Sequence, residues 1–126
     1  MKVLQVIESA YRATLEEQDD TVVWITHAMK GAGADLNVLL RGNAVNYAVL
    51  GQDASGLAFG AWKQTEPPQI ADDIAALIGK GVAVYVVDED AVERGLGSAE
   101  FVPGVERIPQ AGIPKLLGEH DQVWHW

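Results

Sequence analysis

Short apolar runs alternate with longer amphipathic stretches along this chain. Val3 to Ile7 is a β-rich run that stops at Glu8-Ser9 and reads as a first strand. Val22, Ile25, Met29 and Ala32 recur at helical spacing, and Gly31 and Gly33 supply a left-handed stop. Thr14 and Glu17 have the spacing of a capping box, in which each side chain satisfies the other's backbone donor. Together these predict a helix from about Leu15 to Lys30. Leu36 to Leu40 is a second strand, ending at Arg41-Gly42-Asn43, and Asn43 is placed to cap a short helix through Leu50, closed by Gly51.

Gln52 to Glu66 breaks the pattern. It is rich in small residues and carries Phe59 and Trp62, and it reads as a long loop of the kind that serves function or interfaces. Pro67-Pro68 opens a helix with apolar positions Ile70, Ile74, Leu77 and Ile78, ending at Gly79 and Gly81. Val82 to Val87 is too continuously apolar to have a wet face, so it reads as a buried third strand. A short helix Asp88–Arg94, a strand Val105–Ile108, a short helix Gly112–Gly118 and a last strand Gln122–Trp126 complete the series. Strands separated by helices imply an α/β fold: three layers, α/β/α with flavodoxin-like layering, around a mostly parallel five-stranded sheet in one domain, residues 1–126.

Composition narrows the function. Eighteen acids against nine Lys and Arg give a formal net charge of −9, which repels phosphate backbones and anionic lipid, so no nucleic-acid or membrane partner is expected. No segment approaches the roughly 20 apolar residues of a membrane span. The start MKVLQVIES has neither signal-peptide nor anchor pattern, and a cytoplasmic location is the default expectation. The chain has no cysteine, which excludes disulfides, thiolate catalysis, persulfide carriage and cysteine-ligated metal within it. No glycine-rich phosphate loop follows the first strand.

Open parallel sheets place ligands beyond the carboxyl ends of their strands. That edge should collect Glu8, Ser9, Arg41, Asn43, Asp88, Glu89 and Asp90. Asp88, Glu89 and Asp90 fit either capping of the helix that follows or a paired-carboxylate site. Arg41, beside an Asn that opens a helix, fits either an anion seat or a salt bridge to Glu8 or Asp88. Glu8, Ser9, Arg41, Asn43, Asp88 and Asp90 are therefore the candidate ligand-binding set. Ser9 has no histidine placed by sequence to activate it. His27 reads as a partly buried or surface residue. His120 and His125, with Glu119 or Asp121, are weak metal candidates, so no metal and no cofactor is expected. Phe59, Trp62 and Trp126 are candidate interface anchors; Tyr47 and Trp124 would add apolar surface if exposed.

The segment VYVVDEDAVERGL, residues 84–96, resembles the corresponding DsrH/TusB segment: an apolar strand, acids, then Arg-Gly-Leu. A short helix, a His near 120 and the terminal Trp126 are similar too. KVLQVIES, HAMKGAGADLNVLLRG and AVNYAV look more like the DsrE/DsrF branch. The chain thus resembles the DsrE/DsrF/DsrH superfamily of sulfur-relay proteins as a mosaic. The resemblance implies a subunit of trimers or hexamers, in which active members carry persulfide on a cysteine just after the third strand. Here that position is Val87. Two functions follow as expectations. One is a non-catalytic oligomeric subunit linked to intracellular sulfur metabolism, either a homo-oligomer or a partner of cysteine-bearing homologues. The other is a small-molecule (anion) binding protein or enzyme using Arg41 and Asp88 or Asp90.

Overall fold

The computed structural model describes residues 1–12 and 20–126. The capping box at Thr14–Glu17 and the predicted helix start at Leu15 lie outside the described residues. Strand β1 (Lys2–Ile7) leads to helix α1 (Thr21–Gly31) and strand β2 (Asp35–Leu40). A 3-10 helix (Gly42–Ala48) and a small hairpin, β3 (Ala58–Phe59) with β4 (Trp62–Lys63), precede helix α2 (Ile70–Gly79). Strand β5 (Val84–Val87), helix α3 (Asp88–Glu93), strand β6 (Glu106–Ile108), helix α4 (Ile113–Gly118) and strand β7 (Gln122–His125) follow. No helix among the described residues is long and apolar enough to cross a membrane.

The fold is α/β with a five-stranded sheet in the order β6-β5-β2-β1-β7. Each neighbouring pair in it is parallel. Handedness explains the order. The chain steps from β1 through β2 and β5 to β6 with its connecting helices on one face, where Val23, Ile74, Leu77 and Ala91 pack together. To return past β1 to β7 by a right-handed crossover, the last connection must cross the opposite face. There α4 buries Ile113 and Leu116 against Leu4, Val6, Leu39 and Val87. The two apolar layers are unequal, since α1, α2 and the 3-10 helix share one face while α4 covers the other.

Local chemistry sets several boundaries. Asp20 caps α1, its carboxylate accepting from Val22 N at 2.8 Å and Val23 N at 3.1 Å. The helix stops where Gly33 takes a φ of +95°, which L side chains resist, and Ala34 N returns to Met29 O at 3.0 Å. The segment after β2 differs from expectation. Asn43 does not cap an α-helix; the turn is 3-10, Arg41 precedes it without a side-chain cap bond, and Asn43 faces Arg94 instead. The predicted loop 52–66 contains the β3–β4 hairpin, whose two-residue strands are too short to show a period.

Two buried polar ties join the layers. Gln5, fully buried, donates to Thr26 Oγ1 of α1 at 3.2 Å and accepts from Trp126 Nε1 at 2.7 Å. Tyr47 is also fully buried, so it adds no apolar surface. Its hydroxyl donates to Asp20 Oδ2 at 2.5 Å and accepts from Arg12 N at 3.0 Å.

Tyr47→Phe strands a buried carboxylate oxygen and an amide, so it should cost about 1–3 kcal/mol in urea unfolding; no measurable loss would contradict this tie. Tyr47, Tyr11 and Tyr85 all have hydroxyl pKa values raised, chiefly by burial; the Asp20 bond adds to the rise at Tyr47 and Glu106 at Tyr85. The raised values mean the native state favours neutral phenols. Their contribution is fully present below the ordinary tyrosine value near 10 and is lost as pH rises through the higher native values. Native protein should therefore show less tyrosinate absorbance at pH 10 than the unfolded chain, with the signal of the fully buried Tyr47 appearing only on unfolding. Titration of these tyrosines at the free-peptide midpoint would contradict the packing.

Candidate functional site

The connections on either side of β1 and β7 leave the sheet on opposite faces, so the topological switch point lies between these strands. In open α/β sheets this crevice is where ligands enter. Here side chains of the same chain close it. His125 Nε2 donates to Glu8 Oε2 at 2.5 Å, and Arg41 Nε lies 3.5 Å from Glu8 Oε1. The Arg41 guanidinium is partly buried, and its Nε has no hydrogen bond. Of the alternatives for Arg41, the structure contains the ion pair to Glu8 and none to Asp88. Backbone bonds seal the same edge, Glu8 N to Trp126 O and Trp126 N to Val6 O, each 2.9 Å. Ser9 is exposed beside this cluster, but no hydrogen bond joins it to His125.

The end of β5 holds the acids. Val87 is 1% exposed and packs in the α4-side core. The three carboxylates that follow do not cap α3, which has no side-chain cap bond. They reach strand β6, the turn after it and the 3-10 helix. Asp88 Oδ1 accepts from Arg107 Nε at 2.7 Å and pairs with its NH2 at 2.6 Å. Glu89 accepts from Gln110 N at 2.9 Å and 3.0 Å. Asp90 Oδ2 accepts from Gly42 N at 2.7 Å. Gly42 needs its φ of +56°, and a Cβ there would sit 3.4 Å from Glu8 Cγ and Glu8 O. Arg94 Nε donates to Asn43 Oδ1 at 2.9 Å. The candidate set is thus gathered at one edge, with most of its polar groups spent on ties between loops rather than aimed at a common point.

The histidines do not converge. His27 donates from Nε2 to Asp73 O at 2.9 Å, leaving Nδ1 to accept from Lys80 Nζ at 3.1 Å. His120 donates from Nδ1 to Leu116 O at 2.8 Å, so Nε2 accepts from Asn37 Nδ2 at 3.0 Å. It sits before β7 and His125 at its far end, so they share no ligand. Among the described residues no group of three or more His, Cys, Asp or Glu side chains is arranged to hold a metal ion.

Sequence reasoning missed two features. Arg107 fixes the Asp88 carboxylate, while Arg94 ties Asn43 to the backbone carbonyl of Asp90; only the four-residue spacing of Asp90 and Arg94 hinted at either. Tyr11, the loop after the 3-10 helix and the start of α2 border a half-open cavity of about 510 Å3, lined by Tyr11, Leu50, Leu57 and Ile70 with Asp53 and Asp72 at its polar side. Bonds from the Ser55 hydroxyl and amide hold the Asp53 carboxyl below its usual pKa. The unusual length of Gln52–Glu66 was its only sequence signal. Phe59 and Trp62 stack across the hairpin at 5.8 Å between ring centroids, and both are exposed.

No protein-family model matches the chain, and no curated protein matches it. Among solved structures, the crystal structure of the ychN protein from E. coli is similar to it, with a TM-score of 0.76 and 18% identity over 99% of this chain and 98% of that one. At that identity the likeness establishes the fold alone, a mostly parallel five-stranded α/β sheet.

Proposed function

We propose that this chain is a non-catalytic, oligomeric subunit on a DsrE-like scaffold, of one domain, working in the cytoplasm and linked to sulfur metabolism without carrying persulfide itself. The observation that carries this reading is the end of β5. Where the resemblance puts a reactive thiol stands Val87, buried in the α4-side core, and the acids beyond it are committed to Arg107, Gln110 and Gly42. The switch-point crevice is closed by Glu8 and His125. What the scaffold leaves outward is apolar: Phe59, 64% exposed, stacked on Trp62. Aromatic pairs of this kind anchor subunit contacts. The partner is a further copy, in a trimer or hexamer, or a cysteine-bearing homologue.

A small-molecule site is the second reading, favoured by the cavity beside α2 and by the Arg41 Nε that lacks a hydrogen bond. The two features call for different ligands. Asp53 and Asp72 suit a neutral or cationic molecule with an apolar body, whereas Arg41 suits an anion.

Native mass spectrometry at micromolar concentration should give a trimer or hexamer mass, lowered by the double substitution Phe59→Asp and Trp62→Asp; a strictly monomeric wild type would sink the first reading. In a thermal-shift screen, stabilisation lost in Ala71→Trp assigns a ligand to the cavity, and stabilisation lost in Arg41→Ala assigns an anion to the strand-end set. No stabilisation by any compound would dispose of the second reading.

A further inference from the structure

The two edges of the sheet are built differently. Strand β6 at one edge reads Glu-Arg-Ile and is followed by Pro109, so charge and a missing N–H discourage further pairing. Strand β7 at the other reads Gln-Val-Trp-His, with no acid, lysine or proline, and every residue in it is exposed. Among the described residues no strand pairs with its outer side. For a chain of net charge −9, four uncharged, exposed positions on a bare edge leave out the usual protection against self-pairing.

The hydrogen-bond phase of β7 is fixed. Trp126 spends both its N–H and its C=O on β1, at Val6 O and Glu8 N. Backbone groups alternate sides along a strand, so Trp124 and Gln122 also face β1. Val123 and His125 therefore turn their N–H and C=O outward. The register places Trp124 level with Gln5, on the α1 side of the sheet, and Val123 level with Leu4 on the α4 side.

Resting on the oligomeric reading above, we propose that β7 pairs antiparallel with β7 of a second copy about a two-fold axis through Trp124, joining two sheets into one. In that register Val123 of each copy exchanges both main-chain bonds with His125 of the other, which satisfies all the outward groups. Trp124 meets its own counterpart as a non-hydrogen-bonded pair, Cα atoms roughly 4.5 Å apart, the spacing at which cross-strand aromatic pairs stabilise sheets. Gln122 already holds that ring, accepting from Trp124 Nε1 at 3.1 Å. Trp126, 39% exposed, lies across from Gln122 of the other copy. No charged side chain of β7 meets its like. The contact is isologous and closes on itself, so it doubles a trimer or makes a dimer without growing into a fibre.

A charge placed on the axis tests this directly. Trp124→Lys and Trp124→Glu each put like charges opposite one another, so each should halve the native mass of the wild-type particle with an unchanged far-UV circular dichroism spectrum. Mixing the two variants in equal amounts should restore the full mass, because Lys then faces Glu. A mass unaffected by either variant, or a mixture that stays at half mass, overturns the proposal. If the particle instead dissociates only with the Phe59 and Trp62 substitutions, the oligomeric reading stands and the β7 interface falls; a monomeric wild type fells both. Should either variant fail to fold, amide exchange on the wild type decides. Val123 and His125 amides should be protected at high concentration and lose protection on dilution, and exchange that is fast at every concentration overturns the pairing.

Discussion

The right-handedness of parallel crossovers governs what this molecule has to offer. Four strands are laid in one direction with their helices on one face. The fifth reaches the far side of β1 only by crossing the other face on α4. That reversal creates the switch point between β1 and β7, makes β7 an edge, and leaves the second apolar layer to a six-residue helix. The site geometry and the exposed edge are therefore products of one topological constraint.

At the switch point the chain fills with its own residues the space where open parallel sheets generally admit ligands. Glu8 is held from both sides, by the imidazole of His125 and the guanidinium of Arg41, and the acids after β5 bind β6, the turn after it and the start of the 3-10 helix. A polar edge of this kind rigidifies loops. Carboxylate oxygens already bonded to a backbone N–H or an arginine have fewer lone pairs left to offer a passing substrate.

Much of the fold was legible in the sequence because β1, β2 and β5 are apolar runs and α2 repeats Ile70, Ile74 and Leu77 with a strong period. The α/β class, the parallel sheet and the strand ends followed from that. Elements whose stability comes from tertiary contact were not legible. The hairpin has two-residue strands, and the 3-10 form of Gly42–Ala48 is set by the Asp90 bond to Gly42 and by the burial of Tyr47 rather than by any capping residue. The site was legible as a set of positions but not as a set of bonds. Residues 8, 41, 88 and 90 do meet at one edge; that Arg107 and His125 engage two of the acids depends on long-range pairing of β6 and β7, for which no local pattern exists.

The buried amide of Gln5 has a consequence for how the sheet finds its alignment. Among Val3, Leu4, Val6 and Ile7 it is the one polar side chain in the heart of β1, and it is satisfied only when Thr26 lies above it and Trp126 beside it. A slip of β1 by one residue would turn Gln5 into the α4-side layer of leucines and valines, leaving an amide unpaired in hydrocarbon at a cost of several kcal/mol. Apolar strands slide past one another with little penalty, since any branched residue fits against any other. One amide in the row removes that degeneracy, so Gln5 acts as the index mark from which β1, α1 and β7 take their common position.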